Sequence, residues 1–143
     1  MKLTRIFKEG RVINEKLYAQ LQDLDRNKVS DFFGCGNEFR QNRDWWIMEI
    51  EGKIVAYCGC IYTEGICIFN RAWVHPNYRG KGIQKRLIQA RLKAGKLNSH
   101  TVVTYVTMDN PASANSLIKK GFKIFIPSYQ YAGSDKIYFR YEF

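Results

Sequence analysis

The stretch Val74-His75-Pro76-Asn77-Tyr78-Arg79-Gly80-Lys81-Gly82-Ile83-Gln84 joins two elements of different period through a glycine turn. Upstream, Ile66-Cys67-Ile68-Phe69 and Ala72-Trp73-Val74 form an apolar run of strand character. Downstream, Ile83, Leu87, Ala90, Ala94 and Leu97 recur at helical spacing, which predicts a helix over about 82–96 with these residues on its inner face. A turn from strand to helix exposes the first helical amides, which have no intrahelical acceptor and lie at the positive end of the dipole. Such a junction suits an anion, and Gly80 and Gly82 let the backbone approach it closely.

With 143 residues, 45% apolar and 15% aromatic, the chain is long enough for one core and too short for two ordinary domains; residues 1–143 are expected to form a single domain. The first residues carry charges where a signal peptide needs an apolar stretch, and no 18 apolar residues run together. The expectation is a soluble, cytoplasmic protein without a membrane span. Cysteines stand at 35, 58, 60 and 67 with no Cys-x-x-Cys pair, and the two histidines, His75 and His100, lie far from any zinc spacing, so no metal site is expected. Cys58 and Cys60 flank Gly59 in a strand-like run and read as small buried hydrophobes rather than nucleophiles.

Charge is distributed unevenly. Residues 1–72 carry 11 Lys/Arg against 10 Asp/Glu, whereas residues 73–143 carry 12 against 3. Seven cations, Arg79, Lys81, Lys85, Arg86, Arg91, Lys93 and Lys96, fall within 79–96 with no acid among them. A charge run usually marks a solvated helix face. The adjoining glycine turn favours an electrostatic funnel for an anionic ligand.

Along the chain, a strand near 2–7 precedes a helix over about 13–26 carrying Ile13, Leu17, Leu21 and Leu24; residues 28–43 read as a short helix or loop with aromatic anchors. A hairpin turning at Gly52 links 45–50 to 54–62, and Thr63-Glu64-Gly65 turns into the strand ending at Val74. Thr101 to Met108 is rich in β-branched residues and predicts the next strand. Asp109-Asn110-Pro111 caps a helix carrying Leu117 and Ile118 that stops at Gly121, and strands 122–126 and 137–141 follow.

The turn is neither a Walker loop, which needs Gly-x-x-x-x-Gly-Lys-Ser/Thr, nor a dinucleotide turn, which follows the first strand of a parallel unit. It follows an antiparallel meander instead. Its residues resemble the GNAT superfamily of N-acetyltransferases, whose cofactor loop Gln/Arg-x-x-Gly-x-Gly/Ala follows Val-x-Pro; here Val74-His75-Pro76 and Arg79-Gly80-Lys81-Gly82-Ile83-Gln84 occupy those places. A second family element, a strand-end asparagine with Gly-Phe eleven residues on, matches Asn110 and Gly121-Phe122, and the resemblance spans at least 45–126.

The resemblance implies an α/β (α+β) fold with a mixed, mainly antiparallel central sheet, splayed between its fourth and fifth strands and flanked by helices. It implies an acetyl-CoA-dependent N-acetyltransferase acting on a primary amine. The cofactor pyrophosphate would lie on the loop of Arg79, Gly80, Lys81, Gly82, Ile83, Gln84 and Lys85, and its pantetheine along Ala72, Trp73 and Val74. The Val74 amide would hold the thioester oxygen, and Asn110 would both cap its helix and meet the cofactor's amide arm. Two positions depart from the family pattern. Gln84 stands where Gly or Ala is usual, and Leu117 where the family commonly has a tyrosine acid. Ser116, Tyr105, Tyr129 and Tyr131 are the remaining candidates for the acid; Tyr105, or a water held near Asn70, is the candidate base, and His75 reads as a surface residue. The basic second half, with aromatic groups interleaved, motivates an alternative: a nucleic-acid-binding or non-catalytic CoA-binding module.

Overall fold

The structure, a computed structural model, describes residues 1–8, 11–28 and 43–143. The expectation for 28–43 falls almost entirely outside the described residues, as does Cys35. Among the described residues eight strands form one sheet in the order β2-β1-β3-β4-β5-β6-β8-β7, where β1 is Lys2–Lys8, β2 Arg11–Val12, β3 Arg43–Ile50, β4 Lys53–Thr63, β5 Ile66–Val74, β6 Thr101–Thr107, β7 Lys123–Phe125 and β8 Lys136–Glu142. All neighbours pair antiparallel except β5 with β6. The mixed, mainly antiparallel sheet that the family resemblance implies is present. The two-residue β2 shifts the count by one, so the fourth and fifth strands of the sequence reading are β5 and β6.

The meander closes on turns whose backbones need left-handed residues: Glu51 and Gly52 have φ of 50° and 76°, and Glu64 and Gly65 of 47° and 79°. Both central residues at positive φ match the twist of a hairpin. Alternation then sorts the strands' side chains to two faces. Trp45 and Ile47 of β3 pack with Ile6, Tyr57 and with Tyr18 and Leu21 of helix α1 (Glu15–Lys28). Trp46 and Met48 face the larger core, with Ile83, Leu87 and Ile88 of α2 (Ile83–Asn98) and Leu117 of α3 (Pro111–Lys119). Gly59 makes room for this packing: a Cβ there would lie 2.9 Å from the ring of Trp45, its cross-strand partner.

The expected apolar faces need correction in three places. Ile13 lies ahead of α1 and is exposed. Ile118 is also largely exposed, leaving Leu117 as the buried residue of α3. On α2 the buried positions are Ile83, Leu87, Ile88, Arg91, Ala94 and Gly95, while Leu97 is 83% exposed. At 100° per residue these six span an arc of about 140°, and Leu97 falls about 40° beyond its edge. The helix is rotated toward Arg91, which leaves the row of surface cations and enters the interior.

Candidate active site

β5 and β6 pair only at Ile66–Thr101, Cys67–Val102 and Ile68–Val103. Thr104 Oγ1 donates to the Phe69 carbonyl at 3.4 Å, and beyond that vertex the strands part. A bulge on β5 assists the divergence: Tyr57 pairs with Trp73 and Gly59 with Asn70, so two residues, 71 and 72, stand opposite Cys58. The gap opens into a cleft of about 660 Å³ between β5, β6, α2 and α3.

Of the residues anticipated from sequence, Ala72, Trp73, Val74, Arg79, Gly80, Gly82, Ile83, Gln84, Lys85, Tyr105, Asn110 and Ser116 all line this cleft. Lys81 does not; its ammonium lies 5.4 Å from the ring centre of Tyr78, which does. Phe69 and Thr104 also line the cleft, and so does Arg91, which the sequence places among the cations of the anion funnel but not among the cofactor or catalytic residues. For Arg91 a signal existed, since it stands four residues after the buried Leu87 and so on the same face.

At the mouth, β5 ends at Val74 and a short 3₁₀ turn, Pro76–Tyr78, leads into Arg79. Gly80 and Gly82 have φ of 76° and 81°, and Gly82 is the N-cap of α2 with no side chain bonding its first turn. A Cβ at either glycine would meet nothing within 4 Å. Glycine is therefore required by backbone conformation, not by a protein neighbour, and the space beside the uncapped amides is open. Arg79 Nε donates to the Val74 carbonyl at 3.0 Å, tying the turn to the strand end. In the Ala56–Val74 pair the ladder bond runs from His75 N to Val55 O, one step along, so the amide of Val74 turns away from β4 toward the cleft. His75 is half-buried: Nδ1 accepts from the Asn77 amide at 3.1 Å, and its ring meets Trp73 and Tyr78 edge-on. It caps the 3₁₀ turn.

On the opposite wall, Asn110 Oδ1 accepts from the Ser113 amide at 3.2 Å, with Pro111 at the first helical position. α3 ends in bonds from Gly121 N to Ile118 O and Phe122 N to Leu117 O, with Gly121 at φ 102°. Phe122 is thereby placed against Phe69, their ring centres 5.8 Å apart. Ser116 Oγ donates to the Ala112 carbonyl at 3.0 Å, and Leu117 is buried beside it. Tyr105 lies 5.8 Å from Tyr131 and 6.2 Å from the buried Tyr138. Burial, and then the neighbouring Tyr105 and Tyr138, raise the Tyr131 phenol above the ordinary tyrosine range. Tyr129 is 77% exposed.

Cys58, Cys60 and Cys67 are fully buried under α2. Burial pushes the Cys58 thiol up to about 12, and the Cys67 thiol is raised by its hydrogen bond with Cys60 and by burial. Cys58 and Cys67 stay protonated at neutral pH, as packing residues do. Among the described residues no group of His, Cys, Asp and Glu could hold a metal ion, and no helix is long and apolar enough to cross a membrane.

The family profile described as Acetyltransferase (GNAT) domain matches residues 41–124. No curated protein matches the chain. Among solved structures, aminoglycoside 6'-acetyltransferase type Ii is 19% identical over 99% of this chain and 97% of its own, with a TM-score of 0.75. A GNAT acetyltransferase from Staphylococcus aureus is 14% identical over 99% of both chains, with a TM-score of 0.71. The N-acetyltransferase PseH of Campylobacter jejuni, solved with acetyl coenzyme A, is 16% identical over 99% of this chain and 97% of its own, with a TM-score of 0.66.

Proposed function

The chain belongs to the GNAT acetyltransferase family, and from that premise we propose that it is one domain transferring the acetyl group of acetyl-CoA to a primary amine, with the cleft between β5 and β6 as its active site. The observation that carries this reading is the uncapped first turn of α2, opening beside Gly80 and Gly82 at the mouth of a cleft that ends at Phe69 and Thr104. The diphosphate would be held by the amides of residues 80–85, with Lys85 adding charge. Arg79 keeps the turn seated on Val74. Gln84 also lines the cleft, and its side-chain amide would donate to phosphate rather than block it.

The length of the pantetheine arm moves the reacting centre inward. Roughly thirteen bonds separate phosphorus from sulfur, reaching about 15 Å when extended, and a strand rises ~3.3 Å per residue. Phosphates beside Val74 thus bring the thioester four to five residues deeper, to 69–70 at the inner edge of the bulge, and not against Val74. Val74 then serves the arm, and backbone turned off the ladder at the bulge is the better candidate for polarising the thioester carbonyl. Asn110, its Oδ1 engaged in the cap, keeps its amide donors for a carbonyl of the arm.

Transfer requires a neutral amine, a polarised carbonyl and a proton for the departing thiolate. Leu117 cannot supply the proton, and Ser116 already donates to Ala112. Tyr105, with Tyr131 against it, is the group on the cleft wall best suited to donate, and the raised Tyr131 remains a phenol throughout the working pH range. Calorimetry with acetyl-CoA and with dephospho-CoA tests the cofactor assignment. Binding at one site is expected; if neither ligand binds, the assignment fails. Screening acetyl-CoA consumption against peptides, polyamines, aminoglycosides and aminoacyl-tRNA then identifies the amine.

A further inference from the structure

Two buried charges of the larger core are treated differently. Asp44, fully buried on β3, is held by the guanidinium of Arg5 and the hydroxyl of Tyr62. Arg91, 3% exposed, has no carboxylate partner among the described residues. Its Nε donates to Leu87 O at 3.3 Å and its Nη1 to Gly59 O at 3.4 Å, while its carbon Cζ stacks 4.2 Å from the ring centre of Phe69. Nη2 finds no acceptor among the described residues, yet it is not one of the buried polar atoms sealed from solvent. Arg91 is itself one of the residues lining the cleft.

A buried guanidinium with an unused face is costly unless a ligand completes it. Its position says which ligand. Phe69 marks the vertex of the splay, where the β5–β6 ladder begins and the cleft ends. If the cofactor enters as proposed above, on which this inference rests, its sulfur stops close to that vertex and the acyl chain extends toward Phe69 and Arg91. An acetyl methyl presents nothing to a guanidinium. A short acyl chain ending in a carboxylate presents two oxygens in the fork geometry that arginine matches.

We propose that Arg91 is an acyl-specificity residue and that, besides acetyl-CoA, the enzyme uses the CoA thioesters of short dicarboxylic acids. The reaction balances as it does for acetyl transfer. The amine nitrogen bonds to the acyl carbon, the carbon–sulfur bond breaks, the amine proton ends on the CoA thiol, and the distal carboxylate passes to the product unchanged.

The test compares succinyl-CoA, butyryl-CoA and free CoA by calorimetry on the wild-type chain and on Arg91→Met, which keeps a long unbranched side chain against Phe69. Arg91→Lys, with a charge but no fork, is the second variant. Wild type is expected to bind succinyl-CoA about tenfold or more tighter than butyryl-CoA, the range of a charge-assisted hydrogen bond. In Arg91→Met that preference is expected to vanish or invert, and in Arg91→Lys to shrink. Equal binding of the two thioesters by wild type, or an unchanged ratio in a folded Arg91→Met, overturns the proposal. Free CoA separates the two levels: if it fails to bind wild type, the cofactor reading itself falls, whereas free CoA binding with no succinyl preference removes only the role of Arg91.

Discussion

The mouth and the floor of the cleft are built by opposite means. At the mouth, Gly80 and Gly82 adopt left-handed backbone with open space beside them, and the groups on offer are main-chain amides at an uncapped helix start. At the floor, Phe69, Thr104 and Arg91, with Phe122 packed behind Phe69, are buried side chains brought together from β5, β6, α2 and the end of α3. A site made of amides would depend on backbone shape and would tolerate a departure such as Gln84. A site made of side chains changes with each residue. The mouth is thus suited to a constant cofactor, and the floor and walls to whatever varies in the acyl group and the amine.

The largest effect should come from filling the mouth. Gly82→Trp is expected to weaken acetyl-CoA binding at least about a hundredfold, ~3 kcal/mol, by calorimetry. The fold should lose only the ~1–2 kcal/mol of a left-handed non-glycine residue, since its Cβ meets no protein atom. An unaltered dissociation constant would break the division between mouth and floor. On the wall, Tyr105→Phe is expected to lower kcat by about a hundredfold at an unchanged acetyl-CoA dissociation constant. A kcat equal to wild type would leave Tyr105 as packing.

The dryness of the packing under α2 has a pH signature. Burial raises the Cys58 thiol from 9.0 to about 12, so above pH 9 the unfolded chain gives up a proton that the folded chain retains. Stability is full below that value and falls through the window from 9 to 12, by up to ~1.4 kcal/mol per pH unit for this group. Urea midpoints between pH 8 and 10.5 should show the loss, with a shallower slope in Cys58→Ala; identical slopes would mean water reaches the thiol. The smallest effect belongs to Asn110, which caps its helix and, on the proposed function, also meets the cofactor. Asn110→Ala should cost about 1 kcal/mol of stability as a lost cap and weaken acetyl-CoA severalfold. Lost stability without lost affinity would assign it to the helix alone.

The same contrast explains what the sequence let one read. Gly80, Gly82, the Asn110-Pro111 cap and the Gly121-Phe122 stop are local devices whose residue types declare their backbone, and the structure realises each. The hairpin turns at Gly52 and Gly65 were legible for the same reason. Arg91 is legible only in part: its step from Leu87 points inward, but a cation on a helix counts as surface until the helix's rotation against the sheet is known, and the same small difference of phase turns Leu97 outward. Tyr105, Tyr131 and Tyr138 were visible singly, but their meeting depends on β6–β8 pairing at Tyr105 and Tyr138 and on the loop that brings Tyr131 across. Nor is the basic run one binding stripe, since Arg91 leaves it for the interior and Arg79 is tied to Val74.

The central claim is that acetyl-CoA enters between β5 and β6 with its phosphates on the start of α2. Backbone amide shifts recorded by NMR during titration with acetyl-CoA test it most directly. The expected result is saturable change concentrated at residues 80–85 and along 70–74, absent in Gly82→Trp. No binding, or binding whose shifts fall on other elements and persist in Gly82→Trp, would contradict it.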